Sequence, residues 1–206
     1  MTYQLYEWRG VDDVSRVERA VVGFGESSLR GHGGSVASSS STAWQLVVGP
    51  GWVTEELTVS SLGEGWSRSL TLTRAARGSW TVRTDARGAA DMPAPGIEDT
   101  RILDGAIDCD LGLCPLTNIM PIRRLALLDR HVEPVALVMA WVEVPSLRVL
   151  RSGQLYGSGT DNTGARRTVR YQSQTRDFDA ELVIDGDGMV IDYPTLATRT
   201  DRDASH

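Results

Sequence analysis

The chain has 206 residues, 41% of them hydrophobic and 23% charged. That balance excludes general disorder and a membrane-embedded chain, and the length suffices to bury a full core in one domain. The formal net charge is −6 and all 21 basic side chains are arginine, so the acidic chain lacks the basic stripe a nucleic-acid partner would need.

The first residues, Met1-Thr2-Tyr3-Gln4-Leu5-Tyr6-Glu7-Trp8-Arg9, show no basic region, apolar stretch or small-residue cleavage site. The expectation is a cytoplasmic protein without a transmembrane segment. A Gly/Ser run from Gly31 to Ser41 reads as a loop. Strand-length apolar segments follow at Trp44–Val48 and Trp52–Ser60. Leu70 and Leu72 alternate with hydroxyl residues in Trp66–Arg74, and Gly78 turns the chain into Ser79-Trp80-Thr81-Val82, which predicts a hairpin.

Arg87–Asp99, with its Pro93-Ala94-Pro95-Gly96 centre, reads as a second loop. Further strands are predicted at Ile107–Leu113, Ile122–Leu128, Val135–Val144 and Thr168–Gln172. Phe178–Ile184, the turn Asp185-Gly186-Asp187-Gly188 and the return Met189–Tyr193 predict another hairpin, and its apolar alternation, Gly188 and return over residues 182–192 loosely resemble the Leu-x-Leu, turn, Gly and apolar return of residues 70–82. The fold class expected is therefore all-β: a curved antiparallel sheet rolled into a barrel-like or pseudo-barrel single domain over 1–197, with two duplicated halves as one origin. Residues 198–206 read as a polar, frayed tail.

Chemistry concentrates between residues 107 and 125. Strict alternation in Ile107-Asp108-Cys109-Asp110-Leu111 places Asp108 and Asp110 side by side on one face. The two prolines of Leu113-Cys114-Pro115-Leu116-Thr117-Asn118-Ile119-Met120-Pro121 predict an irregular, positioned loop. In the strand expected to follow, Arg123 has the phase of Leu125 and Leu127, so Arg123 rather than Arg124 should be buried against an acidic partner, Asp108 or Asp110. Such a cluster serves either as a structural ion-pair network or as a polar anchor for a ligand head group in an apolar cavity.

The run Asp108-Cys109-Asp110-Leu111, followed by Cys114-Pro115-Leu116-Thr117-Asn118-Ile119-Met120-Pro121-Ile122-Arg123-Arg124-Leu125, closely resembles the signature of the "Putative glycolipid-binding" family of bacterial proteins. Shorter resemblances are Trp8-Arg9, Gly78-Ser79-Trp80, Val144-Pro145-Ser146-Leu147, Gln154-Leu155-Tyr156, Tyr171, and Asp187-Gly188-Met189-Val190 running to Tyr193-Pro194. The resemblance implies a curved antiparallel barrel, similar in outline to envelope lipoprotein carriers, and a glycolipid-type ligand. Cys114, where a hydroxyl residue commonly precedes the proline, and Leu116, where an aromatic is common, depart from the pattern.

The expected activity is non-enzymatic binding of an amphiphilic small molecule in the barrel interior, without a cofactor or metal. Asp108, Asp110, Asn118, Arg123, Arg124, Gln154 and Tyr156 are the candidate ligand-binding residues. One rival is a metal-assisted hydrolase or lyase on a phosphorylated small molecule, built on the acidic row Asp177, Asp179 and Glu181; on a half-buried strand that row reads as a solvated outer face. Another is an interaction module whose polar cluster only fixes sheet register. His32, His131 and His206 are scattered, and no Gly-x-Ser-x-Gly elbow or dinucleotide fingerprint occurs. Cys109 and Cys114 read as reduced thiols.

Overall fold

A computed structural model describes residues 2–160, 167–175 and 177–200. Among these described residues fourteen strands form one sheet in two meanders. The first runs β1 Tyr3–Gly10, β2 Val17–Phe24, β3 Leu29–Val36, β4 Ser40–Gly49, β5 Val53–Gly63, β6 Trp66–Arg74 and β7 Trp80–Gly88. The second comprises β8 Asp108–Leu111, β9 Val135–Val142, β10 Val149–Ser158, β11 Arg167–Ser173, β12 Phe178–Ile184, β13 Val190–Tyr193 and β14 Ala197–Arg199. The spatial order is β7-β6-β5-β4-β3-β2-β1-β14-β13-β12-β11-β10-β9-β8, and every pairing is antiparallel except β8 with β9.

The two arms join where β1 pairs with β14, Trp8 facing Arg199. The sheet curls without closing its ladder, so β7 and β8 remain its edges. Side chains bridge the seam instead. Thr54 Oγ1 on β5 accepts from the Cys109 amide at 3.0 Å, while Trp80 Nε1 and Arg74 Nε donate to the Ala106 carbonyl at 3.1 and 3.2 Å.

Alternation sorts each strand into an inner and an outer face. Trp8, Ala20, Val22, Trp44, Leu46, Leu57, Val59, Leu70, Leu72 and Trp80 form the core of the first arm. Tyr156, Val169, Tyr171, Leu182, Ile184 and Tyr193 form that of the second. No helix among the described residues is long and apolar enough to cross a membrane.

Three expectations need correction. Residues 31–36 and 40–41 of the first expected loop belong to β3 and β4, and residues 87–88 of the second belong to β7. A Cβ at Gly33 would lie 2.2 Å from the Arg19 carbonyl oxygen and 2.7 Å from the Trp44 ring, so glycine here lets an indole lie on the strand rather than breaking it. Residues 122–128, read as strand, form the end of helix α1 (Ile119–Arg124) and the turns that follow. Thr198 and Arg199, placed in the tail, lie in β14, and Arg199 is buried because its guanidinium meets Asp185 at 2.6 Å. Residues 201–206 of that tail lie outside the described residues. The two hairpins with similar patterns hold unlike places, β6–β7 at an edge and β12–β13 beside the central join.

Candidate functional site

β8 separates the two cores. Cys109 and Leu111 join the first, together with Leu116, Ile119 and Met120 from the connection that follows. On the other side Met139, the β9 partner of Asp108, packs with Ile122 in the second. Both prolines of this connection start helical turns. Pro115 opens a 3-10 turn, Pro115–Asn118, and Pro121 sits in the first turn of α1, where an amide would be unpaired in any case. The chain thus fills its own interior with Leu116, Ile119, Met120 and Ile122, all fully buried.

Polar groups line the partition between the cores and bind one another. Arg124 donates to Asp108 through Nη1 at 2.6 Å and Nη2 at 2.5 Å, and Nη1 also reaches the Trp52 carbonyl at 3.0 Å. Asp110 accepts from Gln154 Nε2 at 2.6 Å and from Thr117 Oγ1 at 3.1 Å. Tyr156 donates to Asn118 Oδ1 at 2.8 Å, and Asn118 Nδ2 donates to the Pro115 carbonyl at 3.0 Å.

Burial sets the electrostatics. It pushes the Asp108 carboxyl above its ordinary range, and the Arg124 guanidinium offsets part of that rise. The Cys109 thiol is driven up to about 12 by burial, and Cys114 and Tyr156 are raised by the same cause. Gln154 Oε1 is buried without a hydrogen-bond donor among the described residues.

Of the candidate residues, Asp108 meets Arg124, Asp110 meets Gln154, and Asn118 meets Tyr156. Arg123 meets no carboxylate: it is half-buried, with its guanidinium 4.9 Å from the centre of the Trp52 ring and Nη1 donating to the Asp187 carbonyl at 3.5 Å. The expected burial of Arg123 against a carboxylate is therefore reversed. A helix advances about 100° per residue where a strand advances 180°, and on α1 it is Arg124 that faces β8.

Two further residues belong to this partition and escape a reading of the sequence, Thr117 and Glu18. Thr117 lies within the run that carries the family resemblance. Glu18 is 3% exposed on β2, in phase with Ala20 and Val22, and burial raises its carboxyl to about 7 against the partial relief of the Cys114 thiol and the Arg16 charge. A charged residue in register with two apolar ones is its signal. The acidic row lies outside: exposed Asp179 binds Arg170 and Gln172, and Glu181 accepts from Thr160. Among the described residues no three His, Cys, Asp or Glu side chains gather as a metal site.

A groove of about 700 Å³ runs along the seam between β7 and the start of β10. Val82, Pro95, Ile97, Ile102 and Val149 supply apolar walls, and Glu98, Asp99 and Arg148 supply charge. Arg148 is held by Glu143 at 3.2 Å, while its Nε is buried without a protein partner among the described residues.

An open, curled antiparallel sheet wrapped around its own helical connection defines an all-β class with one lateral seam. The chain belongs to the family described as "Putative glycolipid-binding", whose model matches residues 6–199. It is similar in fold to the crystal structure of a DUF1089 family protein from Pseudomonas aeruginosa, with TM-score 0.66 and 23% identity over 89% of this chain and 92% of that one. No curated protein matches the chain.

Proposed function

We propose that the protein is a non-catalytic binder of an amphiphilic small molecule of glycolipid type, and that its apolar portion lies in the seam groove rather than in the interior. One observation carries this reading: Leu116, Ile119 and Met120 are packed inside, whereas the seam combines apolar walls with charge and with the Nε of Arg148, which is buried without a partner among the described residues. Apolar walls with a few convergent polar groups are what a ligand with a greasy body and a hydroxylated or anionic head requires.

Native mass spectrometry of gently purified protein, followed by extraction, tests the reading, with an alkyl glycoside as the added probe. A retained amphiphile, lost on Ile102→Glu or Ala94→Trp, is the expected result. Protein that is empty and ignores both the probe and a panel of glycolipids overturns the binder; binding unchanged in both variants overturns the seam as its place.

The partition offers a second seat for the head group. Gln154 Oε1, lacking a donor among the described residues, lies beside Asp110 and near half-exposed Trp141, which faces Asp110 across β8 and β9. A hydroxyl would satisfy that acceptor, so Gln154→Leu should weaken the probe more than Ile102→Glu does if the head group sits there.

A further inference from the structure

The outward edge of β7 supports an inference about a second copy of the chain: Val82 and Thr84 turn their side chains to the seam groove, near Gly96, while their backbone groups lie along the edge of the sheet. Among the described residues β7 pairs with β6 on one side and with no strand on the other. From Thr81 to Gly88 every residue is exposed except Val82, which is half-buried. The Ala75 amide donates to the Ser79 carbonyl at 2.8 Å, and with the β6–β7 register this fixes the ladder. Thr81, Arg83, Asp85 and Arg87 turn their backbone groups toward β6, while Val82, Thr84 and Ala86 turn theirs outward. Among the described residues no backbone group meets those outward amides and carbonyls.

An exposed edge of this length is a template for another strand, and proteins often blunt it with charge. Here the outer-face charges alternate in sign, Arg83, Asp85, Arg87. The Arg87–Asp85 contact within the chain spans 3.1 Å between side chains 81% and 61% exposed, too solvated to hold Asp85 away from a better partner.

We infer that β7 is a homodimerisation edge, at which two copies pair antiparallel about a two-fold axis through Thr84 and continue both sheets into one. In this register Thr84 faces Thr84 of the second copy, and Val82 faces the second copy's Ala86. These are the residues whose backbone groups point outward, so each forms a hydrogen-bonded pair. Arg83 then falls opposite Asp85 of the second copy at the closer, non-bonded positions, once on either side of the axis. Centring the axis on Arg83 or Asp85 sets like charges face to face. Centring it on Ala86 runs the pairing onto Gly88, whose φ of +73° leaves strand geometry.

Sedimentation velocity across a concentration series, on the full chain and on charge-reversed variants, tests this. The natural chain should dimerise. Arg83→Asp and Asp85→Arg should each raise the dissociation constant about tenfold, and the double reversal should return it to within about threefold of the original. Both positions are exposed, and circular dichroism reports whether each variant keeps its fold. In the natural chain the amides of Val82, Thr84 and Ala86 should exchange more slowly as concentration rises. A chain that stays monomeric throughout, a dimer indifferent to either single reversal, or a double reversal without rescue each overturns the proposal.

Discussion

Arg124 grips Asp108 with both terminal nitrogens, at 2.6 and 2.5 Å, and the carboxylate it holds is wholly removed from solvent. The pair ties helix α1 to the edge strand β8 and so fixes the connection that divides the two cores. Removing one partner of a buried ion pair leaves the other charged and unsolvated, which costs about 3–5 kcal/mol. Arg124→Ala should therefore lower the urea midpoint far more than Arg123→Ala, which loses a ring contact with Trp52 of about 1 kcal/mol and a long, exposed hydrogen bond of 3.5 Å to the Asp187 carbonyl. Equal midpoints would refute this account of the pair.

Glu18 predicts a pH dependence. Its carboxyl sits at about 7 in the folded chain against an ordinary 4.5, so the folded state holds the proton more tightly. The associated stability is present in full below about 4.5 and is lost as pH rises through about 7, a total of about 3 kcal/mol. Glu18→Gln should remove that loss. Unfolding free energies between pH 5 and 8 should then be flatter for the variant than for the natural chain.

Gly33 should tolerate no side chain. The Arg19 carbonyl and the Trp44 indole both occupy the space a methyl would need, and overpacking of this kind costs about 1–3 kcal/mol. Gly33→Ala should lower the melting temperature and perturb the fluorescence of Trp44. Gly51→Ala separates backbone strain from crowding, because a Cβ there would meet nothing within 4 Å while φ is +74°.

The thiols of Cys109 and Cys114 are buried and their ionisation is pushed up by that burial. A disulfide reagent at pH 8 should label neither in the folded protein and both in denaturant. Rapid native labelling of either would mean that the partition opens.

Much of this architecture is legible in the residues. Alternation at 107–111 correctly places the two carboxylates on one face, and the Asp185–Gly188 turn joins β12 to β13 as its composition suggests. The helix escapes because it is six residues long and both prolines look like breaks, although each stands where a helical turn begins. Choosing period two there selects the wrong arginine. β3 escapes because its glycines resemble a linker, and the need for them appears only when the Trp44 ring is laid across the strand. Seam and groove depend on how far the sheet curls, which no local pattern encodes.

The pairing of β1 with β14 also governs how the molecule can form. Trp8 and Arg199 are direct neighbours, and the Trp8 indole donates to the Val190 carbonyl at 2.8 Å, so the midline of the sheet is stitched from distant stretches of the polypeptide. During synthesis the edge of β1 that faces away from β2 stays unpaired until residue 199 has emerged. Closing so long a loop carries a greater entropic cost than closing any one hairpin, and contacts of this separation in sequence slow folding.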